Sequence, residues 1–233
     1  VIEKKLTALP MHIIDAVNAA VNKTLTHKFA ILSKLGDVYI DPQLDLTPIP
    51  AAMRSVSSSL RTLVRGTRIP FPINKKVIRA YVHWNDEIGT QDIDLSCTAT
   101  SVDFTKTQFT SFRDLRDVHA GIYHSGDVRQ RMGPCAEYID VDIQQCLEAG
   151  YRYVFFTAHN FQNGSFTDLK ECVFGWMFRQ HPQANEIFLP KTITEAFALT
   201  NSSPAVYTCV VDLLEKNVMW LDLESEGILL NPE

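Results

Sequence analysis

The sequence predicts a mainly β protein, a two-sheet β-sandwich preceded by a short helical N-terminal lead-in. From about Lys76 onward apolar and polar side chains alternate, turn residues recur at short intervals, and helical periodicity is rare. Many short strands with few helices are typical of a sandwich or barrel rather than an α/β fold. The chain has 233 residues, 45% of them hydrophobic, which is enough to bury a core of this kind.

The first sixty residues form a different region. Between residues 9 and 32, apolar side chains recur at the three- and four-residue spacing of one helix face, which predicts a helix beginning near Pro10. Residues 36–50 contain a short strand pattern and three prolines, which is typical of a connector. We interpret residues 1–60 as a helical lead-in and linker that either packs on the main domain or ends a preceding one. Residues 61–233 are the sandwich.

The strand predictions follow from period-two alternation. In "KKVIRAYVHW", one face carries Ile78, Ala80, Val82 and Trp84, and the opposite face includes Arg79. The segment "DIDLSCTA" alternates in the same way. Further strand candidates cover residues 118–124, 138–143, 152–158, 172–178, 205–213 and 218–223. Helical patterns cover 144–149 and 193–199, and hairpin loops are predicted at 163–164 and 215–217.

Cysteines and aromatic residues are predicted to be core residues. The five cysteines are widely separated and include no C-x-x-C pair, so they indicate neither a zinc ribbon nor a disulfide framework. Each is interpreted as a small buried hydrophobe in a reducing compartment. The aromatic residues expected in the core are Trp84, Tyr151, Tyr153, Phe155, Phe156, Trp176 and Trp220.

Composition and charge exclude several classes of protein. The formal net charge is −5, which argues against a dedicated nucleic-acid binder. A basic stretch between Arg54 and Arg79 is interpreted as a solvated surface. No apolar run is long enough for a membrane span, and the amino terminus lacks the pattern of a secretory signal. We expect a cytoplasmic location. Because the first residue is Val1, we also expect the chain to be part of a longer protein or assembly.

The sequence lacks the common enzyme signatures. The sequence contains no G-x-S-x-G elbow, P-loop or H-E-x-x-H motif. Cys135, His124 and Asp127 can be drawn as a nucleophile, a base and an orienting group, but a cysteine nucleophile requires a lowered pKa and a placed base. The sequence shows neither, and we expect no enzyme.

An acidic group in "YVHWNDEIGTQDIDLS" is the main functional candidate. Asn85, Asp86, Glu87, Asp92 and Asp94 lie within ten positions. Asp92 and Asp94 are two apart on a predicted strand, so their carboxylates share a face with Cα atoms roughly 6.5 to 7 Å apart. This separation suits two ligands of one hard cation such as calcium, which prefers oxygen ligands. The segment lacks the EF-hand order of residues, and a solvated hairpin remains the alternative.

A second polar segment, "HSGDVRQRMGPCAE", contains Asp127 and Glu137. If the sandwich brings both loops to the same end, Asp92, Asp94, Asp127 and Glu137 converge on one site. Carboxylates at loop ends are also common as simple solvated groups, and spacing alone leaves both interpretations open.

Four blocks of the sequence resemble a known family. "HWNDEIGTQDIDLSCTATSVDF", "VHAGIYHSGDV", "AEYIDVDI" and "YRYVFFTAHNFQNGSFTDL" occur in the order of the TerD-like domains of tellurium-resistance and stress-response proteins. The resemblance covers residues 62–223. It is closest to the divergent TerD-like domains that end larger bacterial proteins, in which "HW" replaces G-W and a "GWM" segment follows, here at residues 175–177.

This resemblance implies a two-sheet sandwich that binds Ca²⁺ through acidic loops. Carried over by position, the metal ligands are Asn85, Asp86, Asp92, Asp94, Asp127 and Glu137. Cys135 and Ala136 stand where the family has two aspartates, so a single weaker site or none is expected rather than a two-ion site. The implied function is a non-catalytic calcium-binding or scaffold domain of a bacterial stress-response system with protein partners. The alternative is a protein-interaction module that has lost the ion.

Overall fold

The computed structural model describes residues 10–34, 36, 63–87, 90–129, 132–162, 164–183 and 192–225. The chain divides into two compact units, Val1–Ile49 and Pro50–Glu233. The boundary predicted between residues 60 and 61, and the strand and proline pattern predicted after Gly36, lie outside the described residues.

The first unit contains helix α1, Met11–Ala30, which confirms the predicted helix. It follows Pro10, and His27 and Lys28 in its last turn suit the negative end of the helix dipole. None of its side chains is buried. Within the described part of the chain, no helix is long and apolar enough to cross a membrane.

The second unit is built from strands and one short helix. In the described residues, the strands are β1 (Arg68–Pro70), β2 (Val77–Asp86), β3 (Ile93–Thr100), β4 (Thr107–Thr110), β5 (Arg116–Asp117), β6 (Ile122–His124), β7 (Gly133–Asp142), β8 (Tyr153–Asn160), β9 (Glu171–Arg179), β10 (Ile193–Ala198), β11 (Ala205–Asp212) and β12 (Asn217–Ser225). Helix α2, Ile143–Glu148, follows β7 and is capped by the Asp142 side chain.

These described strands form two antiparallel sheets of six, which confirms the predicted β-sandwich. The first sheet has the order β1-β12-β11-β8-β3-β4, and the second has the order β10-β9-β2-β7-β6-β5. The long strands β2 and β7 pair in continuous register from Val77↔Asp142 to Asp86↔Gly133. Consecutive strands such as β8 and β9 belong to different sheets, so the chain crosses repeatedly between the two layers.

The core lies between the sheets and is closed by aromatic contacts. The ring centroids of Phe156 on β8 and Phe174 on β9 are 6.4 Å apart, and those of Phe197 and Trp220 are 4.6 Å apart. All five cysteines are buried free thiols, as predicted. Of the aromatic residues predicted in the core, Tyr153 and Phe155 are only half-buried. They alternate along β8 with the fully buried Val154 and Phe156 and therefore face outward.

The outer face of the second sheet is more buried than the sequence indicates. Arg79 is fully buried, so the interpretation of the basic stretch as a solvated surface is wrong at this residue. Its guanidinium donates to both carboxylate oxygens of Asp140 on the neighbouring strand, at 2.6 and 2.8 Å. The Tyr138 ring lies 3.9 Å from the guanidinium carbon, and the Gln183 amide donates to Asp140 at 2.7 Å. A paired charge of this kind tolerates burial.

Most strand predictions are confirmed to within a few residues, and the 215–217 hairpin joins β11 to β12. The helix predicted at 193–199 is wrong, because Ile193–Ala198 pairs with β9 and places Phe197 in the core. The hairpin predicted at 163–164 is also wrong, because β8 and β9 lie in different sheets; Asn163 itself is outside the described residues. The strand predicted at 118–124 is shorter, Ile122–His124.

Candidate metal site

Three aspartates meet at one end of the sandwich. Each of Asp92, Asp94 and Asp127 offers a carboxylate oxygen that lies within 4.8 Å of the oxygens offered by the other two. We call these three residues the carboxylate cluster. Asp92 and Asp94 are buried, with 8% and 6% of their surfaces exposed, and Asp127 is half-buried. The structure thus brings together three of the six residues that the sequence predicts as metal ligands.

Strand β3 positions the first two aspartates. Asp94 alternates with the core residues Ile93 and Leu95, so it faces away from the core on the same side as Asp92, as the sequence predicts. The Asp92 carbonyl accepts a hydrogen bond from the Phe161 amide at 2.8 Å, which holds the start of β3 against the end of β8. On β8, His159 pairs with Asp94 and places its Nδ1 atom 4.0 Å from Asp94 Oδ2.

The third aspartate, Asp127, lies in a segment that connects two strands of the second sheet. Asp127 lies in the segment between β6 and β7, five residues after Ile122, where the chain turns from one strand into the next. Its Oδ2 atom accepts a hydrogen bond from Nε of Arg129 at 2.9 Å. Ser125, at the start of this segment, exchanges hydrogen bonds with the Tyr138 backbone, at 2.8 and 3.0 Å. These bonds hold the Asp127 segment to β7.

Burial and mutual repulsion raise the pKa values of Asp92 and Asp94. Desolvation, followed by the charges of Glu137, Asp92 and Asp127, raises the pKa of Asp94 to about 8. Desolvation, followed by Asp127 and Glu137, raises the pKa of Asp92 to about 6, and Arg129 partly opposes this shift. Without a cation, ionisation of Asp92 and Asp94 is therefore unfavourable, and Arg129 offsets only part of this cost at Asp92.

Two buried oxygens of the cluster are unsatisfied. Among the described residues, Asp92 Oδ1 and Asp94 Oδ2 have no hydrogen-bond partner. Unpaired buried carboxylate oxygens are costly, because the water that would solvate them has been removed. Asp92 and Asp94 line a cavity of about 380 Å³ together with Phe112, Asp127, Arg129, Phe161 and Gln162. This donor set consists of hard oxygens and fits a hard cation in its chemistry.

Glu137, also predicted as a ligand, lies outside the carboxylate cluster. It is fully buried on β7, and its two oxygens accept backbone hydrogen bonds from Leu95 N at 2.9 Å and Val128 N at 2.8 Å. Strand β4 pairs with β3 only from Cys97 onward, so β4 does not provide a hydrogen-bond partner for the backbone of Leu95. Glu137 accepts the hydrogen bond from the Leu95 amide instead. Glu137 thereby connects β3 of the first sheet to the segment that carries Asp127. These two hydrogen bonds help to hold Asp94 and Asp127 in position relative to each other.

His124 forms a hydrogen bond with the backbone of the same β3 residue, Leu95. The Gly126 amide donates to its Nδ1 atom at 3.0 Å, so the ring proton resides on Nε2, which lies 2.9 Å from the Leu95 carbonyl oxygen and donates to it. Nε2 also lies 3.5 Å from Glu137 Oε2. The backbone N–H and C=O of Leu95 are therefore both satisfied by side chains from the second sheet.

The remaining predicted ligands, Asn85 and Asp86, end strand β2. They are successive strand residues, so their side chains point to opposite faces. Asp86 is buried, and its Oδ2 atom accepts the Gln91 amide hydrogen at 2.5 Å. The Gln91 side chain in turn accepts a hydrogen bond from Asn160 at 2.8 Å. Asp86 thus helps to hold the segment that leads into β3. Neither Asn85 nor Asp86 belongs to the carboxylate cluster.

We expect Glu137→Gln to destabilise the domain by about 1 to 3 kcal/mol, because an amide NH₂ would face a buried backbone N–H. Urea unfolding of the calcium-free protein measures this loss. As a matched control, the exposed Glu148→Gln is expected to change stability by less than about 0.5 kcal/mol. Unchanged stability in Glu137→Gln together with lost calcium binding would contradict the positioning role and identify Glu137 as a direct ligand.

Sequence reasoning missed Arg129, Phe112 and Phe161 at this site. Arg129 stands two residues after Asp127, a spacing that permits a local ion pair but does not require one. Phe112 and Phe161 come from separate segments, and their ring centroids are 6.4 Å apart in an edge-to-face arrangement. Only the pairing of β3 with β8 brings Phe161 beside Asp92, so no local pattern could have identified it.

Comparison with known proteins adds a structural neighbour. No protein-family model matches the sequence, and no curated protein matches it. The solved structure of SCO6318 from Streptomyces coelicolor A3(2), described as a homologue of the telluride resistance protein TerD, aligns with a TM-score of 0.50 and 11% sequence identity. The alignment covers 67% of this chain and 94% of SCO6318.

A second solved structure, the protein of unknown function SAV2460, aligns with a TM-score of 0.48 and 14% identity over 65% of this chain and 92% of its own. The similarity to SCO6318 extends over almost all of that protein and agrees with the two-sheet topology described above. At 11% identity it establishes architecture rather than activity, and the chain has a TerD-like β-sandwich fold.

Proposed function

We propose that this TerD-like domain binds a calcium ion at the carboxylate cluster. The observation that carries the proposal is the pair of buried, unpartnered oxygens of Asp92 and Asp94 beside the Asp127 carboxylate. A divalent cation would neutralise the charge that raises the pKa values of both buried aspartates. Asp92, Asp94 and Asp127 would hold the ion, with water in the cavity supplying further oxygens.

The donor set favours calcium over a transition metal. Zinc sites use cysteine and histidine, whereas all three members of the cluster are carboxylates. The cysteine thiols are buried in the core, where desolvation raises the pKa of Cys146 to about 12 and of Cys97, Cys172 and Cys209 further. His159 is not one of the residues whose ligand atoms converge in the cluster, and its Nδ1 atom lies 4.0 Å from Asp94 Oδ2.

The same contacts favour a binding module over an enzyme. In the candidate triad, both ring nitrogens of His124 are engaged by the backbone at Gly126 and Leu95, so the ring is not available as a base for Cys135. We therefore propose a non-catalytic, calcium-linked binding or scaffold domain of a cytoplasmic bacterial stress-response system similar to tellurium resistance. Calcium would fix the segment that carries Asp127 and so alter a surface for a protein partner.

The test is calorimetric titration of calcium into chelator-treated protein, in parallel with the Asp92→Ala, Asp94→Ala double variant. We expect saturable binding near or below micromolar Kd in the wild type and none in the double variant. Bound calcium should also stabilise the fold by RT ln(1 + [L]/Kd), about 2.7 kcal/mol at a hundredfold excess over Kd. Asp114→Asn, at an exposed aspartate outside the cluster, is the matched control and should bind like the wild type.

The alternative function is a protein-interaction module that has lost the ion. It is favoured by the ion pair between Arg129 and Asp127, and by Cys135 and Ala136 at the positions where the family has acidic residues. No heat of binding and no thermal shift at millimolar calcium would establish this alternative and remove the calcium proposal.

A further inference from the structure

Arg129 occupies the same cavity as the carboxylate cluster. Its Nε atom lies 2.9 Å from Asp127 Oδ2, and its side chain lines the cavity with Asp92 and Asp94. The Arg129 side chain is 83% exposed, whereas the Asp127 side chain is 20% exposed. The guanidinium therefore approaches the carboxylate cluster from the solvent side. The aliphatic part of the Arg129 side chain is not held in place by packing against the core.

Arg129 shares the cavity with more than one aspartate. It donates a hydrogen bond to Asp127, and the cavity that it lines is also lined by Asp92 and Asp94. A positive group at this position supplies part of the charge that a bound cation would supply. It does so without reaching the two buried oxygens, Asp92 Oδ1 and Asp94 Oδ2, that have no hydrogen-bond partner in the described residues.

We propose that Arg129 is a tethered counter-ion that competes with the divalent cation for Asp127 and thereby sets the affinity of the site. This inference rests on the proposed function. In the metal-free domain the guanidinium pairs with Asp127, and cation binding requires the side chain to turn outward into solvent. Arg129 is thus a determinant of affinity, and the calcium concentration at which the domain responds depends on this one side chain.

A second arginine–aspartate pair in the same domain shows why this pair can open. Arg79 and Asp140 form two hydrogen bonds with both side chains fully buried, so separating them would leave charges without water. The Arg129 pair has one exposed partner, and exposed ion pairs contribute little stability because water replaces the lost contact. The long stem of arginine allows its head group to move into solvent while the backbone stays in place.

The experiment compares calcium affinity in the wild type, Arg129→Ala, Arg129→Lys and Arg113→Ala by calorimetry with chelator-treated protein. Removing a positive charge that competes for one carboxylate should tighten binding roughly tenfold in Arg129→Ala. Arg129→Lys keeps the charge and should stay close to wild type. Arg113 is the matched control, because its guanidinium lies 5.4 Å from the Phe112 ring at the same cavity wall. Arg113→Ala removes an equal charge that is not hydrogen-bonded to the cluster and should change Kd by less than about threefold.

The outcomes separate this inference from the proposed function. Tighter binding in Arg129→Ala alone supports the competition. Equal calcium affinity in wild type and Arg129→Ala overturns it and leaves the calcium site standing. Equal tightening in Arg129→Ala and Arg113→Ala also overturns it, because the effect would then be one of general surface charge. No calcium binding in any of the four proteins removes both the competition and the proposed function.

Discussion

Asp94→Asn is expected to raise the melting temperature of the calcium-free domain at about pH 8 to 9 while abolishing the stabilisation by calcium. The folded state raises the pKa of Asp94 to about 8, so ionisation of this buried group opposes folding. Each pKa unit corresponds to about 1.4 kcal/mol, and we expect the neutral amide to recover roughly 2 to 3 kcal/mol at alkaline pH. For a domain of this size, that corresponds to roughly 5 to 10 °C.

The pH dependence has a defined sign. Because the folded-state pKa values of Asp94 and Asp92 lie above those of the unfolded chain, their protonation stabilises the fold fully below about pH 4. This stabilisation is lost as the pH rises through about 6 for Asp92 and about 8 for Asp94. Saturating calcium should remove most of this loss, since the cation replaces the protons.

Thermal unfolding across pH, with chelator and with calcium, measures both effects. Asp114→Asn provides the control for simple removal of one negative charge, since Asp114 is exposed and lies outside the cluster. A fall in stability in Asp94→Asn at alkaline pH without calcium would contradict the prediction. That result would mean that the Asp94 carboxylate makes stabilising contacts as an anion and that the cluster is a structural hydrogen-bonding group.

Asp140→Ala is expected to destabilise the domain by about 3 to 5 kcal/mol, because it removes the carboxylate that neutralises the fully buried Arg79. The loss includes two hydrogen bonds to Arg79 and the bond from the Gln183 amide. Tyr138, whose ring lies 3.9 Å from the guanidinium carbon, would remain but compensates only part of the charge. Urea unfolding at neutral pH measures the change.

The matched control is Glu87→Ala, which removes the acidic partner of Lys170 in an ion pair whose side chains are 64% and 66% exposed. Exposed pairs contribute at most about 1 kcal/mol, so this variant should unfold almost as the wild type does. Equal and small losses in Asp140→Ala and Glu87→Ala would contradict the assignment of the Arg79–Asp140 pair as a buried structural contact. The double variant Arg79→Met, Asp140→Leu should recover much of the stability, since it leaves no buried charge.

The fold was largely predictable because the interior imposes a local pattern on each strand. Apolar side chains that pack between the sheets recur at every second position of "KKVIRAYVHW" and "DIDLSCTA", which identifies β2 and β3 without knowledge of their partners, although the structure buries most of the opposite face as well. The short edge strands β1, β4 and β5 were not predicted, because two to four residues carry too little alternation. At Ile193–Ala198, pairing with β9 overrode a local helical pattern.

The candidate site was predictable only in part. The i, i+2 spacing placed Asp92 and Asp94 on one face, and both the polar segment after His124 and the resemblance to the TerD-like family pointed to Asp127. The same resemblance proposed Glu137 as a ligand, and its two hydrogen bonds to backbone amides instead give it a positioning role that Glu137→Gln tests. A motif match preserves the position of a residue but does not determine which neighbours its oxygens contact.

By itself, the sequence determined the two-sheet sandwich, the burial of the cysteines and the shared face of Asp92 and Asp94, because each follows from the local composition and periodicity of the chain and needs no knowledge of which strands pair. Only the tertiary structure decided that Asp127 meets these two aspartates, that Arg129 enters the same cavity and that Arg79 is buried. These features depend on pairing between strands that are distant in the chain, and on whether a charge acquires a partner when water is excluded.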